Sequence, residues 1–149
     1  VLEFGASGSL QPQIEAVASS YLGVDREANG PRIIAFDLDD VQQQTLPSFQ
    51  ADVIVCGELL EHLSNPGWFL ARLRRQYLDV PVVITVPNAF STGGLLQMRR
   101  GVENVNRDHV CWYSFHTIQT LVRRAGYSSF WFGWYHGQPL TAEGLVLVL

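Results

Sequence analysis

Two continuous apolar runs, ADVIVCG at Ala51–Gly57 and VPVVITV at Val80–Val86, constrain the fold more than any other feature of this chain. Neither alternates with polar residues, and both are bounded by them. That pattern belongs to parallel strands covered on both faces, because a sheet with one wet face alternates apolar with polar. Parallel neighbours also need a crossover between them. The intervening stretch supplies one: Asn65 can cap a helix that starts with Pro66 and carries Phe69, Leu70, Leu73 and Tyr77.

The rest of the chain extends the alternation. Val1–Phe4 is a short strand entering a Gly/Ser turn, followed by a helix with Pro12 near its start and Ile14, Val17 and Ala18 on one face. Tyr21–Asp25 and Arg32–Phe36 read as two more strands, with only the turn Arg26–Pro31 where a crossover helix ordinarily stands. Ser114 caps a helix over Phe115–Ala125 that stops at Gly126. Ser128–Tyr135 and Gly144–Leu149, joined by a Gly/Pro-bearing turn, read as an antiparallel pair. The expected fold is α/β: a Rossmann-like, doubly wound, mostly parallel seven-stranded sheet with an antiparallel C-terminal strand. A single domain spans residues 1–149 on this reading, and N-terminal elements are expected to be missing because the chain opens on a strand. Ala89–Asp108, rich in Gly, Arg and Asn and without strong periodicity, reads as a functional loop or lid.

Composition narrows the chemistry. A net charge of −4 argues against a nucleic-acid partner, since phosphate binding is built on Lys and Arg. No apolar run approaches the roughly 20 residues of a membrane span. Cys56 and Cys111 form neither a metal-type pair nor a disulfide framework, so a reducing, cytoplasmic location is expected.

In such a sheet, ligands bind at the carboxyl ends of the strands. The first strand ends in Glu3-Phe4-Gly5-Ala6-Ser7-Gly8-Ser9, small residues that let a ligand approach the backbone. Asp25 ends the second strand, where a carboxylate can accept both hydroxyls of a ribose. The third ends in Phe36-Asp37-Leu38-Asp39-Asp40, a place where an acceptor can meet an adenine amino group.

The succession VLEFGASGS, YLGVDRE, AFDLDD, ADVIVCGELLEHLSNP, VVITVPN and DHVCWYSFHTIQTLVRRAGY resembles the ordered motif set of class I S-adenosylmethionine-dependent methyltransferases. The likeness spans essentially the whole chain and is nearest to small-molecule O-methyltransferases. It implies methyl transfer from S-adenosylmethionine to an oxygen of a small molecule or sugar. It further implies that Glu3 serves the methionine amino group, that Gly5, Ala6, Ser7 and Gly8 wrap the methionine part, and that Cys56 offers its carbonyl nearby. Asp25, with Arg26 beside it, would hold the ribose, and Asp37 with the Leu38 backbone the adenine. Ser7 and Ser9 stand where the family carries its second and third glycines.

A further constellation is Glu58-Leu59-Leu60-Glu61-His62. On a helix these positions share a face, so Glu58, Glu61 and His62 are expected to converge just beyond the central strand. His109 becomes a fourth member if the lid folds back. Two carboxylates and two imidazoles suit a divalent cation such as Mg, Mn, Fe or Zn. The pattern is similar to the metal site of small-RNA 2′-O-methyltransferases, where a metal would lower the pKa of the hydroxyl to be methylated. Without a metal, His62 and His109 remain candidate catalytic residues, His62 as a general base.

Simpler readings compete at several positions. Asp39 and Asp40 read as solvated turn residues, and Trp112, Trp131 and Trp134 as core or interface. Arg99, Arg100 and Arg107 read as a solvated loop or, if functional, as the holder of an anionic group. The rival functions are a nicotinamide-dependent oxidoreductase, against which Gly5–Leu10 fails to give G-x-G-x-x-G, and a non-catalytic methyltransferase-like binding module.

Overall fold

A computed structural model of the chain describes residues 1–7, 9–42, 45–137 and 141–149. Seven strands form one sheet: β1 (Leu2–Phe4), β2 (Leu22–Asp25), β3 (Ile33–Ala35), β4 (Ile54–Gly57), β5 (Val82–Pro87), β6 (Trp131–Tyr135) and β7 (Gly144–Val148). Their order is β3-β2-β1-β4-β5-β7-β6. The pairings from β3 through β5 are parallel, and β7 runs antiparallel to both β5 and β6. The sequence reading of the sheet holds. The strand order reverses between β1 and β4, which opens a crevice at their carboxyl ends.

The helices are α1 (Gln11–Glu15), α2 (Pro66–Gln76), α3 (Thr92–Arg99) and α4 (Phe115–Arg124). Capping explains where two of them start. Asn65 Oδ1 accepts from the Trp68 amide at 3.2 Å, and Pro66 fills the first turn, where its missing N–H is harmless. Ser114 and Thr117 form a reciprocal capping box at α4.

Register explains the core. Phe4, Val24, Cys56 and Ile84 lie side by side across four strands, and all are fully buried. Phe69 of α2 meets Phe4 edge-on at 5.5 Å between ring centres, so α2 covers this face. The opposite row is Glu3, Gly23, Val55 and Val83, of which Val55 and Val83 are only half-covered. The two runs that read as strands buried on both faces are thus sealed on one face and half-open on the other.

Two expectations are corrected. α1 spans only Gln11–Glu15, and Val17, placed on its core face, is 88% exposed, because the helix ends before that turn can pack. The stretch read as an aperiodic lid contains α3, capped by Ser91 through the Gly94 amide at 3.2 Å, and none of its residues is buried. The missing crossover helix between β2 and β3 is real. Strands of four and three residues need a return path of only about 10–13 Å, which Arg26–Arg32 spans without one. No helix among the described residues is long and apolar enough to cross a membrane.

Candidate functional site

A cavity of about 900 Å³ occupies the crevice at the carboxyl ends of β1, β2, β3 and β4. Gly5 opens it. Its φ of +77° is left-handed, and a Cβ there would stand 3.1 Å from Leu59 Cδ1, so glycine is strongly favoured. The Gly5 and Ala6 amides both donate to the Val24 carbonyl, folding the turn back over β2. Asp25, Arg26, Asp37 and Leu38 line the far end. Asp25 Oδ1 accepts from the Arg26 amide at 2.6 Å, and Asp37 Oδ1 from the Asp39 amide at 3.0 Å, so both carboxylates are held by their own turns. Asp39, read as merely solvated, instead accepts from the amide and hydroxyl of Ser64 and ties the two walls of the cavity together.

Two tyrosines reach across glycines to carboxylates of the site. Tyr21 passes over Gly23, where a Cβ would lie 2.8 Å from its oxygen, and donates to Glu3 Oε2 at 2.5 Å. Glu3 is 3% exposed, and burial pushes its carboxyl above the usual range. It therefore sits behind the cavity wall rather than in it, as do Ala6 and the fully buried Cys56, whose thiol burial pushes up. Gly57, one residue on, lines the cavity instead. Gly8 lies outside the described residues.

Tyr135, in β6, stacks over Gly144 of β7, where a Cβ would fall 2.0 Å from its ring, and donates to Glu58 Oε1 at 2.6 Å. Glu58 is no helical residue. Its φ is +49°, and its amide is anchored on both the carbonyl and the hydroxyl of Thr85. The left-handed conformation is unfavourable for a residue with a side chain, and the Thr85 and Tyr135 contacts are what hold Glu58 in it.

This corrects the four-member constellation. Helical geometry begins only at Leu60–His62, so Glu58 is turned toward Tyr135 and leaves the group. Glu61, His62 and His109 do converge, each offering a ligand atom within 4.8 Å of the others. The His62 and His109 rings meet edge-on at 4.6 Å between centres. The segment after residue 108 is fastened there: the Val110 amide donates to the Glu61 carbonyl at 2.8 Å, and Tyr113 Oη to the Leu60 carbonyl at 3.3 Å. Glu61 is 1% exposed, and neither carboxylate oxygen has a hydrogen-bond partner among the described residues. Burial, with a smaller push from Glu58, raises its pKa to about 8. Burial and the neighbouring His62 hold His109 below its ordinary value.

His62 lines the first cavity, whereas His109 lines a second one of about 390 Å³ between α3 and the 104–113 segment. The imidazole pair thus stands at the junction of the two spaces. Trp112, read as core or interface, lines the second cavity, and Arg99, Arg100 and Arg107 line neither. Tyr135 and Thr85 were invisible to motif reading. Their only signal is Gly144, a glycine placed opposite an aromatic in a closing hairpin.

A family model described as a methyltransferase domain matches residues 1–129. The chain belongs to that family and is an S-adenosylmethionine-dependent methyltransferase domain with the class I fold. The nicotinamide-dependent alternative falls with that match. Solved structures share the architecture. An S-adenosylmethionine-dependent methyltransferase from Archaeoglobus fulgidus aligns with a TM-score of 0.75 at 12% identity, over 99% of this chain and 83% of that one. The small RNA methyltransferase HEN1 gives 0.73 at 15% identity, over 99% of this chain but 22% of that one. Magnesium protoporphyrin IX methyltransferase from Synechocystis PCC 6803, solved with bound SAH, gives 0.66 at 15% identity, over 99% and 72%. At such identities the likeness is one of fold. No curated protein matches the sequence at a significant level.

Proposed function

We propose that this domain transfers the methyl group of S-adenosylmethionine to a hydroxyl oxygen of a small molecule or sugar, activated at Glu61, His62 and His109. The observation that carries the reading is the imidazole pair, one ring facing each cavity. The first cavity suits the cofactor: a turn that strongly favours glycine, a carboxylate after β2 for a ribose diol, and Asp37 after β3 for an amino group. Gly5 and Ser7 would hold the methionine part, Asp25 and Arg26 the ribose, and Asp37 and Leu38 the adenine. When bound, S-adenosylmethionine supplies a methyl already activated by its sulfonium, so the chain's task is orientation and removal of the hydroxyl proton.

Asp25→Ala is expected to weaken S-adenosylhomocysteine binding roughly 10- to 150-fold, since hydrogen bonds to a charged group contribute about 1.5–3 kcal/mol. Unchanged affinity in calorimetry would remove Asp25 from the ribose site.

The orphaned, buried carboxylate beside two imidazoles fits a divalent cation of middling hardness. With Glu58 turned away there are three protein ligands, which leaves coordination positions open, as catalytic sites do. A cation there, when bound, supplies a Lewis acid that eases loss of the hydroxyl proton. Titration with Zn²⁺ should find one site per chain, lost in Glu61→Gln and kept in Glu58→Gln. Chelator should remove most methyl transfer, and Mg²⁺, Mn²⁺ or Zn²⁺ should restore it. Full activity in excess chelator would exclude the cation and leave His62 as the base. Labelled methyl appearing on amines but not on hydroxyls would overturn the choice of oxygen.

A further inference from the structure

We infer that the methyl acceptor is an uncharged amphiphile, with a hydroxylated head in the cavity beside His109 and an aliphatic tail in the trough beside α3. This rests on the second cavity being the acceptor's place, as proposed above.

The head's chemistry follows from the second cavity's wall. Gln97, Asn104 and Asn106 bring side-chain amides, Ser91 brings a hydroxyl whose oxygen caps α3, and Trp112 brings a broad ring, while the Asn88 amide is taken up by Ala142 and Phe90. Amides both donate and accept, which suits hydroxyl groups, and an aromatic face suits the apolar face of a sugar ring. No arginine is among the lining residues, although three lie on the same stretch of chain. A phosphate or carboxylate would find no guanidinium in this wall, only the His109 imidazole and any cation held beside it, and would face the Glu143 carboxylate.

The tail follows from a third space, a trough of about 710 Å³ that shares Gly94, Asn104, Val105, His109, Cys111 and Trp112 with the second cavity. The two lie side by side along that shared wall. Beyond the shared wall the trough is lined by the apolar Met98, Val102 and Val110, with Gly101 and a single carboxylate, Glu103. These three are 51%, 52% and 62% exposed, and Trp112, which borders both spaces, is 40% exposed. Single exposed apolar residues are ordinary, but four around one trough mark a surface awaiting an apolar occupant. α3 sharpens this: a capped helix of eight residues, none of them fully buried, draws little packing energy from its own domain. Because His109, Cys111 and Trp112 border both spaces, one molecule laid along that shared wall can reach both, polar end toward the imidazoles.

The test uses the 149-residue chain saturated with S-adenosylhomocysteine and titrates hexyl, octyl and decyl β-D-glucosides below their micelle concentrations. Tryptophan fluorescence and calorimetry give the affinities. Each methylene that becomes buried should tighten binding about fourfold, and hexyl to octyl about 15-fold. Met98→Asp combined with Val110→Asp should remove that chain-length gain while leaving S-adenosylhomocysteine affinity unchanged. Asn104→Ala should weaken every glycoside alike. Affinity that ignores chain length would overturn the proposal, as would octyl phosphate binding tighter than octyl glucoside. Glycoside-free phosphatidylcholine vesicles that sediment the protein would make the trough a membrane contact. A dimer broken by Val110→Asp, with no glycoside binding, would make it an interface between copies. Either result overturns the amphiphile. Loss of S-adenosylhomocysteine or Zn²⁺ binding in the unsubstituted protein would instead count against the proposed function, and both are measured without acceptor.

Discussion

Replacing His62 with alanine is expected to lower methyl transfer by about two to four orders of magnitude, the range that a positioned proton-transfer group contributes. His62 alone of the imidazole pair borders the cavity proposed for the cofactor, and its ring meets that of His109 on the side proposed for the acceptor. Removing it takes away either a cation ligand or a base, so the hydroxyl loses its means of deprotonation on both accounts. Binding of S-adenosylhomocysteine should change by less than about fivefold, because one wall contact contributes on the order of 1 kcal/mol or less. His116→Ala supplies the control: His116 is exposed on α4 and borders neither cavity, so its loss should leave the rate alone. A His62→Ala variant that retains a tenth of the parent rate would place proton removal elsewhere.

Glu61→Gln should abolish a loss of stability that the metal-free parent suffers as pH rises. In the fold the carboxyl ionises near 8, against an ordinary value of 4.5. Below 4.5 both folded and unfolded chains hold the proton, and there is no penalty. Between these values the unfolded chain ionises first, so stability falls as pH rises, by roughly 4–5 kcal/mol in all at 1.36 per pH unit. Above 8 the penalty is complete and flat. His109 acts with the opposite sign: its lowered value means stability is lost as pH falls below its ordinary 6.5. The window free of His109 is therefore pH 6.5 to 8. There the parent's denaturation midpoint should fall with pH and that of Glu61→Gln should not. Zn²⁺ should restore the parent by compensating the ionised carboxylate. Parallel curves for the two proteins would mean that Glu61 is already neutralised by something within the fold.

Much of this was legible because its signals are local. Asn65-Pro66 and Ser114 mark helix starts through groups within three residues, and Gly5, Asp25 and Asp37 stand at or just past the carboxyl ends of β1, β2 and β3. Glu58 shows where local reasoning ends. Its spacing from Glu61 and His62 is helical, yet its conformation is set by Thr85 on the next strand and Tyr135 three strands away. Val17 fails similarly, because periodicity marks a face without showing that anything arrives to cover it. The second cavity was illegible as a site, since its wall draws on separate segments around Asn88, Gln97 and Trp112 that no single motif spans.

The ring of Tyr135 on Gly144 carries a consequence for how the domain is assembled. β6 is the edge strand, held only by β7, and Tyr135 pairs with Gly144 in register. A slip by one residue would set the tyrosine against Glu143 or Leu145 and turn its hydroxyl to the other side of the sheet. Glu58, already in place on the earlier strands, would then lose its partner. During synthesis the strands β1 to β5 emerge first and can pair among themselves. The wall of the first cavity is nonetheless finished only when the last hairpin docks in its one correct alignment. Completion of the sheet and completion of this cavity therefore coincide, and a nascent or mispaired chain lacks the wall that Tyr135 supplies.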